Sequence, residues 1–136
     1  MIGEKLCYTN DSLQSMNLVE TMINVTVKDL FIHNDKQFVI LDSSQFLKIN
    51  KFKLDFLRKK FKKGMKLIKF DDDLTRFINN LLYPIKVNVV NEDNNIFIEP
   101  EDKTYKGILI GKNGDNLDFF KKVVSRYFSF NKFIVR

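Results

Sequence analysis

Gly111 and Gly114, two of only five glycines in the chain, flank Lys112-Asn113. A glycine lets another molecule's backbone come into van der Waals contact where a Cβ would block it. From Asp115 onward the residues have helical spacing, so the first amide groups of that helix favour a phosphate oxygen in the same space. Lys112 adds a cation and Asn113 a donor. The chemistry implied is non-covalent, a clamp on a sugar-phosphate backbone. Gly107 with Gly111-Lys112 suggests a nucleotide-binding P-loop, but the spacing is one residue short. Asn113 also stands where Ser or Thr would bind Mg²⁺. His33 is the sole histidine and Cys7 the sole cysteine, so neither a catalytic triad nor a metal cluster has its parts. Asp71-Asp72-Asp73 reads as helix capping in preference to a cation site. No catalytic residue, metal or cofactor is expected.

The elements that must position this loop follow from spacing. A helix capped near Thr9 to Ser12 carries Leu13, Met16, Val19 and Ile23. Strands at 29–33 and 37–41 flank the hairpin turn Asn34-Asp35-Lys36. Ser43-Ser44 opens a short helical segment, and a second helix carries Leu54, Leu57 and Phe61 until Gly64 stops it. Residues 66–70 close this unit as a strand. Asp71-Asp72-Asp73 then caps a helix with Leu74, Phe77, Ile78, Leu81 and Leu82, which Pro84 ends. Strands at 86–90 and 95–99 flank a polar turn at 91–94. Pro100-Glu101-Asp102 leads into a short helix ending at Ile110. After the Gly-Lys-Asn-Gly loop comes a helix with Leu117, Phe120, Val123, Val124 and Tyr127 inward, then a strand at 132–135.

The order helix, strand, strand, helix, helix, strand thus occurs twice. Leu54-Asp55-Phe56-Leu57 matches Leu117-Asp118-Phe119-Phe120, 63 positions on, and Phe38-Val39-Ile40 matches Ile96-Phe97-Ile98. A repeat of this period reads as two copies of one small α+β unit.

A Gly-x-x-Gly loop between two helices, packed on a three-stranded sheet, is what a KH domain uses to clamp about four nucleotides. The element order resembles the type II, prokaryotic KH domain. Pro100-Glu101-Asp102-Lys103 and Ile110-Gly111-Lys112-Asn113-Gly114-Asp115-Asn116 resemble the second KH unit of the archaeal NusA-like proteins. Val19 to Met22 running into Val25 to Asp29 is similar to the start of their first unit. The resemblance extends from about Asp11 to the end. It implies an α+β chain of two tandem type II KH domains, 1–70 and 71–136, each a three-stranded sheet packed by helices. It also implies a single-stranded RNA-binding factor linked to transcription termination or antitermination, with RNA polymerase as a second partner. Ile110, Gly111, Lys112, Asn113, Gly114 and Asn116 would contact the RNA. Its bases would lie in a groove walled by the strand Ile96 to Ile98 and its neighbouring helices.

The first unit departs from this pattern. Its equivalent loop reads Lys48-Ile49-Asn50-Lys51, without glycine, so close backbone approach is lost there. Yet residues 48–69 hold ten Lys or Arg against one acid, Asp55, while the whole chain carries a net charge of +6. Lys48, Lys51, Lys53 and Arg58 would therefore act as a basic flank for RNA phosphates, although such a run also suits a solvated helix face. Asp115 and Asp118 follow the second loop and oppose an anion, unless Asp115 caps the helix. Loss of one glycine loop leaves a second function class open, a protein-docking scaffold on RNA polymerase or the ribosome.

The 44% hydrophobic and 29% charged content excludes a disordered tail. No apolar run approaches the ~18 residues of a membrane span, and no signal-peptide pattern opens the chain. These features point to a cytoplasmic monomer without a membrane partner. Most Phe residues recur at core spacing; exposed ones would be free to stack a base.

Overall fold

The computed structural model describes residues 10–23, 25–46, 49, 51–61 and 64–136. Cys7, Thr9, Lys48 and Asn50 lie outside the described residues. The chain divides into two compact units, Lys5–Asp71 and Asp72–Arg136. In the first, α1 (Asn10–Ile23) precedes β1 (Asp29–His33), β2 (Lys36–Leu41), α2 (Ser43–Phe46), α3 (Lys51–Lys60) and β3 (Met65–Lys69). The second repeats this order with α4 (Leu74–Leu82), β4 (Val87–Glu92), β5 (Asn95–Pro100), α5 (Lys106–Ile110), α6 (Asp115–Ser125) and β6 (Lys132–Val135).

Each unit holds a three-stranded sheet, ordered β1-β2-β3 and β4-β5-β6. The hairpin strands are antiparallel and the third strand runs parallel to the second. A parallel neighbour cannot be reached by a tight turn and needs a crossover. The helix pairs α2–α3 and α5–α6 supply it, so the loop between α5 and α6 lies within the crossover of the second unit. This is an α+β fold of two tandem units, consistent with the KH-like arrangement that the resemblance implies.

Both hairpins close through two residues in the left-handed region, Asn34 and Asp35 (φ 51° and 64°) and Asp93 and Asn94 (φ 52° and 65°). Asn and Asp tolerate that conformation, and a two-residue turn of this kind matches strand twist. The expected four-residue turn at 91–94 is therefore shorter. Asn91 pairs with Ile96 and Glu92 with Asn95, which extends the end of β4 by two residues beyond the expected position 90.

Local caps seat the helices. Asp73 is the N-cap of α4 and accepts from the Arg76 amide at 3.0 Å. Asn79 on the same helix accepts from the Val87 amide at 3.3 Å and so ties α4 to the start of β4. In the first unit, Glu20 Oε2 accepts from the Val27 amide (2.8 Å) and Gln45 Oε1 from the Thr26 amide (2.9 Å). Gly64, at φ 101°, donates to the Phe61 carbonyl and accepts from the Gln37 amide, turning the chain from α3 into β3.

The first core joins Val19 of α1, Leu54 and Leu57 of α3, and Leu30, Val39, Leu41 and Met65 of the sheet. In the second unit Phe77, Ile78 and Leu81 of α4, Ile96 and Ile98 of β5, Leu109 of α5, and Val123 and Val124 of α6 are all at most 1% exposed. The inward face of α6 differs from the periodic expectation. Phe119, Val123 and Val124 are buried, whereas Leu117, Phe120 and Tyr127 are half-buried. The match of residues 54–57 to 117–120 therefore does not carry equal burial.

Lys66 on β3 is half-buried. Burial, and secondarily the like charge of Lys36, lower its ammonium from the ordinary 10.5 to about 8. Below about pH 8 Lys66 is charged in both folded and unfolded chains, and the folded state bears the whole penalty. As pH rises from about 8 to 10.5 the folded chain releases this proton first, so stability gains with pH in that window. Lys66→Met should raise the melting temperature at pH 7, and thermal melts should show the gain shrinking toward pH 10.5.

Candidate nucleic-acid interface

The loop between α5 and α6 is built from residues that tolerate unusual backbone. Gly111 has φ 73° and ψ 178°, a region that is essentially glycine-only. Asn113 follows at φ 56° and ψ 26°, and Gly114 at φ 75° and ψ 14°. Three of the four loop residues thus have positive φ. Asn113, expected as a donor, is also one of the few side chains that accept this conformation. Its residue type carries that signal, because Asn is enriched at positive φ.

The two glycines are required for different reasons. A Cβ on Gly111 would stand 2.7 Å from Cγ, 2.8 Å from Nδ2 and 2.9 Å from Cβ of Asn116. A Cβ on Gly114 would meet nothing within 4 Å. Gly111 therefore makes room for the protein's own packing, while the space over Gly114 is open. Asn116 Nδ2 donates to the Ile108 carbonyl at 2.8 Å. Its side chain thus bridges α6 back to α5 across Gly111, which is where the structure places this residue.

Gly114 is also the N-cap of α6, and it offers no side-chain cap. Asp115 is the first residue of the helix and not its cap, which corrects the capping alternative. It and Asp118 place two exposed carboxylates in the first turn, where the helix dipole stabilises them. Lys112 and Asn113 are exposed at the loop's tip.

On the other side of the loop, α5 is short and buries one residue of its apolar run, Leu109. Ile108 is 57% exposed, Tyr105 41%, and Ile110 is half-buried. These residues, next to the glycine loop, provide the exposed apolar surface of the site. The strand expected to wall the groove does not. Ile96 and Ile98 alternate on one face of β5 and are fully buried, so they are core. Phe97, on the opposite face, is half-buried under the Arg136 guanidinium at 4.4 Å. The signal for the apolar wall was the consecutive Ile108-Leu109-Ile110, since one turn of helix cannot bury three adjacent side chains.

The 3-10 turn Lys103–Tyr105 that leads into α5 is capped by Asp102, which accepts from the Thr104 amide (3.0 Å) and hydroxyl (2.8 Å). Those bonds hold its carboxyl below the usual carboxylate range. Lys51, Lys53 and Arg58 lie on α3 of the other unit, all exposed. Lys51 is the first residue of that helix, not part of a preceding loop. Arg58 is in the last turn, where a cation also complements the helix dipole. Among the described residues no group of three or more His, Cys, Asp or Glu is placed to hold a metal ion. No helix among them is long and apolar enough to cross a membrane.

No family model matches the chain. It is 23% identical, over 93% of its own length and 93% of the relative's, to the probable transcription termination protein NusA of Thermoplasma acidophilum. To the protein of the same name from Methanocaldococcus jannaschii it is 24% identical, over 94% of this chain and 74% of that one. The crystal structure of APE1850 superposes with a TM-score of 0.64 at 22% identity, covering 95% of this chain and all of that one. That last likeness concerns the fold. In sequence along nearly its whole length, and with the two-unit fold that the resemblance implied, this chain is NusA-like, of the archaeal kind.

Proposed function

We propose that the chain is a non-catalytic single-stranded RNA-binding protein that acts in transcription termination or antitermination, in the cytoplasm and as a monomer. The observation that carries this reading is the Gly111–Gly114 loop, open at Gly114, with Lys112 and Asn113 at its tip and behind it the start of α6, whose N-cap Gly114 brings no side chain. In this reading Gly114 permits backbone approach, Gly111 gives the Asn116 side chain its room, and Lys112, Asn113 and amides of the first turn of α6 hold phosphates. Ile110 and Ile108 contact sugar or base. Asn116 contributes by holding the loop to α5. Lys48, Lys51, Lys53 and Arg58 extend the attraction for phosphate. The transcription role rests on the names of the relatives, and RNA polymerase is the second partner proposed.

A docking scaffold on RNA polymerase or the ribosome is the second reading, favoured by the exposed Asp115 and Asp118 beside the loop. Fluorescence anisotropy with a pool of short single-stranded RNAs separates the two. The wild type should bind, and Gly114→Asp, whose added side chain enters open space, should lose most of that binding while staying folded. With roughly four phosphates held, affinity should fall about fiftyfold between 50 and 200 mM salt. Equal binding by both proteins would reduce the interaction to general basic attraction, and no binding by either would favour docking.

A further inference from the structure

The outward face of α3 carries two aromatic side chains that the core does not use. Leu54 and Leu57 face the core, at 8% and 0% exposure. Phe52 and Phe56, one helical turn apart, stand on the opposite side at 89% and 55%. A single exposed apolar residue is ordinary, but these two form a stripe with cations on both flanks. By helical spacing Lys53 and Lys60 border it on one side and Lys59 on the other. The Lys60 ammonium stands 5.2 Å from the centroid of the Phe56 ring.

We infer that this face of α3 is a base-stacking platform for single-stranded RNA, so that the first unit binds through Phe52 and Phe56 where it lacks a glycine loop. The inference rests on the reading of the chain as RNA-binding. Side chains four apart on a helix have Cβ atoms roughly 5–6 Å apart, close enough to take neighbouring bases of one strand. Non-specific single-strand sites combine these two elements, aromatic faces for bases and a basic track for phosphates. Charge decides the class of partner. The described helix carries Lys51, Lys53, Arg58, Lys59 and Lys60 against Asp55, so the ligand is polyanionic. The two rings within this charge call for a polyanion that presents flat apolar faces, which nucleobases do.

The test uses the full chain and a single-stranded RNA carrying 2-aminopurine, beside a strand of equal length with abasic positions. The wild type should quench the fluorophore and prefer the intact strand. Phe52→Ala with Phe56→Ala should weaken binding about tenfold or more and abolish the quench, with an unchanged melting temperature because both rings are exposed. Phe52→Tyr with Phe56→Tyr should retain both signals. The same comparison in the Gly114→Asp background separates the two sites, since the quench due to α3 should persist there whether or not the loop is a clamp. Equal binding of abasic and intact strands, or an unaffected alanine variant, would overturn the inference. Loss of polyglutamate binding without loss of RNA binding in the alanine variant would overturn it in favour of an acidic protein partner. Absence of RNA binding by every form would overturn it together with the function it rests on.

Discussion

Gly111→Ala should destabilise the second unit by about 3 kcal/mol, against about 1–2 kcal/mol for Gly114→Ala. Both glycines have positive φ, so both substitutions strain the backbone. At Gly111 the strain is larger, because φ 73° with ψ 178° lies outside even the left-handed helical region. The added Cβ would also stand within 3 Å of three Asn116 side-chain atoms. Asn116 would have to swing away and give up its bond to the Ile108 carbonyl, which contributes about 1 kcal/mol. At Gly114 the new methyl enters open space, and the cost is conformational alone. Denaturant melts of both variants and of Asn116→Ala measure this directly. In the Asn116→Ala background the cost of Gly111→Ala should drop by about 1 kcal/mol, a coupling expected of residues in contact. Gly114→Ala should show no such coupling.

Phe77→Ala should cost the second unit about 3–5 kcal/mol, the range for truncating a fully buried aromatic ring. Phe77 is 0% exposed, and it packs edge-on to Tyr127 at 5.5 Å between centroids and against Phe128 at 5.8 Å. It therefore pins α4 to the segment that follows α6. A unit of this size has a total stability of roughly 3–10 kcal/mol, so the loss removes most or all of it. Circular dichroism melts should show this, and RNA binding by the loop should disappear with the fold even though Phe77 lies on α4, outside the loop.

The order of elements was legible because each junction carries a local signal. Asp73 before Leu74, Asn34-Asp35 between strands, and Gly64 after α3 each have a conformational preference that tertiary packing did not need to override. The Gly-x-x-Gly loop was legible for the same reason. What spacing could not settle was which of several adjacent apolar residues faces inward. Leu117, Phe119 and Phe120 are all apolar, and the sheet beneath α6 selects Phe119. Ile96 and Ile98 read as a possible groove wall until strand alternation placed them in the core, leaving Ile108 exposed instead. The clash that makes Gly111 obligatory involves Asn116, five residues on, and depends on the turn between two helices. No periodic pattern encodes such a contact. The exposure of Phe52 and Phe56 was equally hidden, because phenylalanine at helical spacing usually marks a core.

The central claim is that the loop at 111–114 holds the RNA backbone, and backbone amide shifts observed by NMR during titration with a short single-stranded RNA test it most directly. The account predicts saturable shifts at the amides of Gly111 to Asn116 that vanish in the Gly114→Asp protein, whose fold is kept because the space over Gly114 is open. Shifts that leave those amides unmoved while RNA saturates the chain elsewhere would contradict it.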